Sequence, residues 1–233
     1  QKKKVLFITS DEQSALKFQK DYKSLFQKEA EIFPYQEISP YSSVDKNLYI
    51  YKEQINLLKN KNDFVVMPIK AALEKFPAPN FYIENSIKLE KNKDYDFNKL
   101  IQKLVDFGYK RTSMAVDTGE FSYRGDILDI FTFYDFPLRI EFFGDTLEDM
   151  RFFNPNTQKS FKKTDYVEVL PLYKFILTSD KSYKKEIIEV SKPFLGDETF
   201  KILYDETMEK IDNLPYFEGV EYFLPYIDKN LTT

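Results

Sequence analysis

The first third of the chain alternates short apolar runs with amphipathic segments. Val5–Thr9 and residues 64–69 are continuous apolar runs rich in β-branched residues, which is typical of buried parallel strands. Residues 11–26 and 45–59 carry apolar side chains at helical spacing. Because strands that alternate with helices pair in parallel, this pattern predicts an α/β domain over residues 1–88, with helices covering both faces of its sheet.

The middle of the chain changes to a β pattern. A helical stripe over residues 96–107 ends at Gly108, a residue that commonly caps the C-terminus of a helix. Residues 111–172 consist of short alternating segments separated by turn residues, without a helical stripe, which predicts an antiparallel sheet. We therefore predict an inserted α+β domain, mainly antiparallel, over residues 89–172.

The last part of the chain returns to helical spacing, over residues 180–191 and 197–212. Residues 222–227 then form an apolar run that predicts a short closing strand. Since so short a strand needs partners, we expect it to join the first sheet. Residues 173–233 would thus complete the domain that begins with residues 1–88.

Composition limits the chemistry available to this chain. Its 233 residues include no cysteine and no histidine, which removes disulfides, thiol nucleophiles, the usual zinc ligands and the commonest general base. No apolar run reaches the length of a membrane span or a signal-peptide core, so we expect a cytoplasmic protein without membrane attachment. The net charge of −4 argues against nucleic-acid binding as the main task of the chain.

Arginine is concentrated in one segment. All four arginines among the 34 basic residues lie between residues 111 and 151, whereas lysines occur from end to end. A guanidinium can hold a carboxylate or carbonyl groups at two points, which a lysine ammonium cannot do. We therefore expect specific recognition between residues 111 and 153.

One predicted strand, residues 138–143, presents an arginine and a phenylalanine on the same face. Alternation puts its leucine, isoleucine and first phenylalanine on one face, and Arg139, Glu141 and Phe143 on the other. If the apolar face belongs to the core, Arg139 and Phe143 are exposed together, a common composition for a protein-interaction hot spot. Alternatively, Arg139 and Glu141 are solvated polar residues, and Phe143 lies under a neighbouring loop.

Arg124 interrupts the alternation of the strand before it. The apolar residues Leu128 and Ile130 would direct Arg124 inward unless a bulge or turn forms at Gly125. A bulge would aim Arg124 outward and add it to the binding face. The alternative is an internal bridge between Arg124 and a carboxylate.

The sequence offers little support for a carboxylate metal or catalytic site, or for a phosphate-binding loop. Acidic residues are dense between residues 120 and 149, and paired carboxylates can hold magnesium or perform acid–base catalysis. Acids in strands and turns usually face water or pair with nearby arginines, so we predict neither a metal site nor a catalytic residue. The sequence also lacks a Gly-x-x-x-x-Gly-Lys-Ser/Thr phosphate loop, so we predict no bound cofactor.

The sequence resembles a known family over nearly its whole length. The motifs that carry this resemblance are, in order, Phe33-Pro34, Val65-Val66-Met67-Pro68, Gly108-Tyr109, Gly119-Glu120-Phe121, Arg124-Gly125-Asp126-Ile127-Leu128-Asp129-Ile130-Phe131, Arg139-Ile140-Glu141-Phe142-Phe143-Gly144-Asp145 and Phe153-Asn154-Pro155-Asn156-Thr157-Gln158. They are similar to the N-terminal region of the bacterial transcription-repair coupling factors, the Mfd family, and that region is itself similar to the damage-recognition protein UvrB. The link after Phe33-Pro34 is too short for the aromatic hairpin with which UvrB clamps DNA, so the coupling factors match better.

The resemblance implies a fold and a partner. It implies a degenerate RecA-like (P-loop NTPase-like) domain made of residues 1–88 and 173–233, with a UvrA-binding domain at residues 89–172. It also implies a non-catalytic module that recruits the excision-repair protein UvrA in transcription-coupled nucleotide excision repair.

The implied UvrA contacts are Arg124, Arg139 and Phe143, which match the family's contacting positions in type. Full-length members of the family also bind RNA polymerase and duplex DNA, and use ATP and Mg in motor domains that lie outside this segment. The alternative is a truncated N-terminal ATPase and damage-recognition part of a UvrB excinuclease subunit.

Overall fold

The computed structural model describes residues 4–36, 47–59, 63–77, 80–176, 183–213, 216–217 and 219–227. The chain divides into two units. The first unit consists of Gln1–Asn80 and Glu218–Thr233, and the second unit consists of Phe81–Phe217. The starts of the helices predicted at residues 45–59 and 180–191, and residues 228–233 of the last predicted segment, lie outside the described residues.

A parallel sheet of three strands lies at the centre of the first unit. Its strands are β1 (Val5–Thr9), β2 (Glu31–Ile32) and β3 (Phe64–Pro68), in the order β1-β3-β2. The helices of this part are α1 (Glu12–Phe26), α2 (Leu48–Lys59) and α3 (Ile69–Ala72). Strands that alternate with helices thus pair in parallel, and the predicted α/β class is confirmed at this level.

The two faces of this sheet are covered by different elements, because successive residues of β3 point in opposite directions. On one side, the buried Val66 packs with Ala15 of α1 and Ala30, and Phe18 of α1 stacks on Phe7 at 4.0 Å between ring centroids. On the other side, a second cluster forms around the buried Phe33. The helix start predicted before α1 is also found, since Asp11 Oδ1 accepts a 2.7 Å hydrogen bond from the backbone of Ser14.

The second unit contains two sheets built from antiparallel neighbours, with one exception. Its strands are β4 (Ile87–Glu90), β5 (Lys110–Arg111), β6 (Glu120–Arg124), β7 (Ile127–Ile130), β8 (Leu138–Phe143), β9 (Thr146–Phe153), β10 (Ser160–Lys163) and β11 (Tyr166–Val169). Six of them form one sheet in the order β10-β9-β8-β7-β6-β5, in which only the pair β5–β6 is parallel, and β11 pairs with β4. The antiparallel sheet predicted for residues 111–172 is therefore confirmed.

One helix covers the core face of the six-stranded sheet. After the short α4 (Phe81–Glu84), helix α5 (Phe97–Asp106) places Phe97 edge-on against Tyr123 and Phe142, with ring centroids 5.6 and 5.4 Å away. The helix ends as predicted at Gly108, whose φ of +89° is the left-handed conformation that terminates many helices. A side chain at Gly108 would meet the Tyr173 ring at 2.5 Å, so this position requires glycine.

The helices after residue 172 do not follow the predicted division into domains. Helices α6 (Tyr183–Ser191) and α7 (Glu198–Asn213) are found where helices were expected, but they belong to the second unit and not to the first. The physical reason lies in aromatic contacts across the second unit. Tyr173 stacks on Tyr216 at 4.3 Å, and the Tyr216 hydroxyl donates a hydrogen bond to the carbonyl of Asp106 at the end of α5.

The prediction of a closing strand at residues 222–227 is wrong. Val220–Phe223 is a 3-10 helix, and Leu224–Ile227 is the short helix α8. An apolar run of this length does not distinguish a buried strand from a buried helix. Pro225 favours the helix, because its missing N–H costs nothing in a first helical turn and would remove a hydrogen bond from a strand ladder.

Within the described part of the chain, no helix combines the length and apolar character needed to cross a bilayer.

Candidate protein-interaction surface

The face of the six-stranded sheet opposite α5 carries the charged residues of its strands, and we call it the charged face. Strand β8 shows why: Leu138, Ile140 and Phe142 are buried, whereas the residues between them point the other way. In the register of the sheet, Arg139 lies between Arg151 of β9 and Asp129 of β7. The alternation predicted for β8 is therefore confirmed.

Arg139 is held inside this face by its neighbours. Its Nε and one terminal nitrogen donate to the two carboxylate oxygens of Asp129 at 2.7 and 2.8 Å, and the same terminal nitrogen donates to Gln158 Oε1 at 2.9 Å. The guanidinium also lies 4.4 Å above the centroid of the buried Phe153 ring. The hydrogen bonds to Asp129 raise the pKa of the Arg139 guanidinium further above its ordinary value.

These contacts leave the side chains of Arg139 and Asp129 only 20% and 12% exposed. The expectation that Arg139 is freely exposed is therefore wrong, and it is not an isolated solvated residue either. The cause is register: Asp129 lies directly opposite on the neighbouring strand, where side chains are about 5 Å apart at Cβ. Contact between Arg139 and a partner remains a prediction.

Arg151 binds two more of the acids that could have formed a metal or catalytic site. It donates to Asp149 Oδ2 at 2.8 Å, to Glu141 Oε1 and to the hydroxyl of Ser160 at 2.9 Å. Lys163 adds a 3.0 Å contact to Asp149. The hydrogen bond from Arg151 lowers the pKa of Glu141. These strand acids therefore pair with cations inside the sheet, and they stabilise the charged face.

Arg124 occupies a different environment, because the chain turns directly after it. Arg124 pairs with Ile127 across the β6–β7 hairpin, so Gly125 and Asp126 form a two-residue loop in which Gly125 has a φ of +57°. This turn, which was one of the predicted possibilities, places Arg124 on the charged face. The side chain is exposed, and its hydrogen bond goes to the carbonyl of Ser113 at 3.4 Å. Among the residues that the structure describes, no carboxylate pairs with Arg124, so the internal bridge considered for it is absent there.

A cavity of about 280 Å³ lies between Arg124 and Arg139 on the charged face. Its other walls include Met114, Ile127 and Gln158. The structure thus brings together two of the three predicted partner-binding residues. The guanidinium of Arg124 is open to solvent, and that of Arg139 forms part of the cavity wall.

Phe143 stands apart from this cavity, at the far end of β8. The ring is 75% exposed, so the alternative that a loop covers it is wrong. It pairs with Thr146 across a tight hairpin at Gly144, and it lies four residues along the strand from Arg139, a separation of about 13 Å. The charged face therefore presents the exposed Phe143 and the arginines of the cavity at separate points.

Gln158 and Met114 were missed by sequence reasoning. Besides accepting from Arg139, the Gln158 amide donates to the carbonyl of Pro155 at 2.7 Å and contacts the Met114 sulfur at 3.3 Å. Gln158 has a φ of +60°, a conformation that side-chain-bearing residues adopt only when their surroundings impose it. The signal for Gln158 in the sequence is the turn-forming Asn154-Pro155 that precedes it.

Comparison with known proteins agrees with this picture of the second unit. Residues 87–175 match the family model described as the UvrB interaction domain. The transcription-repair-coupling factor of Myxococcus xanthus is 30% identical over 153 residues, which cover 63% of this chain and 13% of that protein. The transcription-repair-coupling factor of Staphylococcus aureus strain USA300 is 30% identical over 185 residues, which cover 77% of this chain and 15% of that protein.

The strain RF122 protein of the same name is 28% identical over 184 residues, 77% of this chain and 15% of its own length. The chain thus spans a small part of the length of the curated relatives it matches. The match to the UvrB interaction domain includes the whole charged face and its cavity. The resemblance seen in the sequence is therefore confirmed: this chain is related to the transcription-repair-coupling factors, and its residues 87–175 form a UvrB interaction domain.

Proposed function

We propose that this chain recruits the excision-repair protein UvrA as part of a transcription-repair coupling factor, without catalysis of its own. The observation that carries the proposal is the charged face of the UvrB interaction domain, where Arg124 has no acidic partner among the described residues and Phe143 is open to solvent. A guanidinium with free donors beside a cavity suits a carboxylate of a partner protein.

The three residues of the proposed contact have different parts. Phe143 is the apolar anchor, since burying a phenylalanine ring against a partner contributes about 1.5–3 kcal/mol. Arg124 supplies the guanidinium donors for a carboxylate of the partner. Arg139 forms the wall that shapes the cavity, and its remaining exposed edge completes the binding surface.

The first unit has a different role in the proposal. We infer that its parallel sheet and flanking helices belong to a degenerate RecA-like domain, which holds no cofactor. ATP and Mg, RNA polymerase and duplex DNA would then be ligands of other parts of the full-length protein. The rival identity, a truncated ATPase part of a UvrB subunit, is not favoured, because the relatives cited above are named transcription-repair-coupling factors. Calorimetry of this chain with ATP should give no binding heat.

The proposal is tested by calorimetric titration of the chain with purified UvrA. We expect binding by the unmodified chain, and losses of about 1–3 kcal/mol for Phe143→Ala and for Arg124→Ala. Phe161→Ala is the matched control, because it removes another exposed phenylalanine of the same sheet, in β10, that does not line the cavity. Absence of UvrA binding, or equal affinity in all four proteins, would refute the proposal.

A further inference from the structure

Four aromatic side chains gather at one corner of the six-stranded sheet, and we call them the aromatic corner. They are Tyr134 and Phe136 of the loop before β8, Phe152 of β9 and Phe161 of β10. Phe136 and Phe161 meet edge to face with centroids 4.8 Å apart, and Tyr134 meets Phe152 at 5.5 Å. Phe161 is nevertheless 55% exposed and Phe136 is 41% exposed. The contacts therefore order these rings without burying them.

A β-bulge positions Phe161 for this contact. Ser160 lies opposite Phe153 and Lys162 lies opposite the adjacent Phe152, so Phe161 has no opposite residue on β9. A bulge redirects a side chain out of the regular alternation, and bulges are frequent next to functional sites. Without it, Phe161 would follow the ordinary alternation of an edge strand.

None of the four rings of the aromatic corner lines the cavity between Arg124 and Arg139. Phe152 is paired with Leu138, a residue of the core-facing row, whereas Arg139 and Phe153 belong to the opposite row. The corner is therefore distinct from the cavity between Arg124 and Arg139, and one surface can be occupied while the other is free.

Two lysines give the corner its charge. Lys162 has its ammonium 6.0 Å from the centroid of the Phe152 ring, and Lys159 precedes the strand. Within the described ranges, neither lysine forms a salt bridge, in contrast to Lys163, which binds Asp149. The corner thus presents apolar rings beside the ammonium of Lys162, with Lys159 next to the same strand and one exposed acid, Asp135, in the loop between Tyr134 and Phe136.

We propose that the aromatic corner is a second docking surface, and that its partner is an acidic protein segment with one bulky apolar side chain. The apolar side chain would pack against Phe136 and Phe161, and the acids would meet Lys159 and Lys162. Exposed apolar patches with a polar rim are typical of protein-interaction sites. A nucleic acid fits less well, since two lysines on a chain of net charge −4 neutralise few phosphates. Addition of a partner strand also fits less well, because the bulge interrupts the edge of β10.

The test uses the 233-residue chain and two sets of short labelled peptides. In the first set, Asp and Glu flank one central Phe, Leu or Trp; in the second set, Lys and Arg replace the acids. We expect acidic peptides to bind, to shift the amide NMR signals of Phe136, Phe161 and Lys162, and to lose about tenfold in affinity with Phe161→Ser or Lys162→Glu. Phe143→Ser is the matched control, because it removes an exposed phenylalanine from the opposite end of β8, and it should leave peptide affinity unchanged.

Three results would overturn the inference: no acidic peptide shifts these signals, basic peptides bind as well as acidic ones, or a single-stranded oligonucleotide binds the corner more tightly than any acidic peptide. The outcome is separable from the UvrA proposal. Phe161→Ser should leave UvrA titrations unchanged, whereas Arg124→Ala should weaken UvrA binding and leave peptide binding unchanged.

Discussion

Replacement of Arg139 by alanine tests how the charged face is stabilised. The substitution removes the two hydrogen bonds to Asp129, at 2.7 and 2.8 Å, and the contact with the Phe153 ring. It also leaves the carboxylate of Asp129, 12% exposed, without its counter-charge. A fully buried carboxylate left alone costs about 3–5 kcal/mol, and hydrogen bonds to charged groups contribute about 1.5–3 kcal/mol each. Because water reaches part of this pair, we expect a loss of about 2–3 kcal/mol in the free energy of unfolding.

Urea unfolding followed by circular dichroism measures this loss. Arg124→Ala is the control, since it removes an exposed arginine from the same face and should cost less than about 0.5 kcal/mol. The double variant Arg139→Ala/Asp129→Ala should be less destabilised than the sum of the two single variants, because it removes the stranded carboxylate. If Arg139→Ala is as stable as Arg124→Ala, the bridge contributes nothing to stability and the reasoning from burial and geometry is wrong.

Three further predictions follow from the same geometry. Gln158→Gly keeps the left-handed backbone and loses the amide contact to Arg139. We therefore expect the free energy of UvrA binding, measured by calorimetry, to weaken by about 0.5–1.5 kcal/mol. Unchanged affinity would show that Gln158 does not position Arg139 at the cavity. Arg151 lowers the pKa of Glu141 in the folded state. The stability from this pair is therefore present above the ordinary glutamate pKa of about 4.3 and is lost as pH falls through the lowered value. In acid unfolding experiments, Arg151→Ala should lack this pH-dependent loss of stability. Gly125→Ala has open space for its methyl group but forces alanine to a φ of +57°. The melting temperature of this variant should therefore fall by the amount that a loss of about 1 kcal/mol in the free energy of unfolding produces. An unchanged melting temperature would mean that the hairpin relaxes.

Local patterns in the sequence were sufficient for the elements that build the site. The alternation of β8 follows from a two-residue period, which holds wherever one face of a strand is buried. The end of α5 at Gly108 follows from the left-handed conformation that glycine accepts, whereas the turn at Gly125 was one of two possibilities that the sequence left open. The parallel first sheet and the antiparallel second sheet follow from how strands and helices alternate along the chain.

Long-range contacts decided what those patterns could not. Helices α6 and α7 lie not in the first unit but in the second, where aromatic contacts such as that of Tyr173 with Tyr216 join positions far apart in sequence, whereas the segment from Glu218 clusters with the first unit. The last predicted strand is a helix, because an apolar run suits a strand and a helix equally.

The state of the candidate site was also settled by pairing between distant positions. Arg139 appeared exposed from its own strand, and only the register of β7 shows that Asp129 holds it. Met114 and Gln158 meet across a separation of 44 residues, which no local period predicts. The sequence by itself determined which residues face away from the core. The tertiary structure determined which of them are already engaged, because hydrogen bonds between strands depend on partners that the local sequence does not specify.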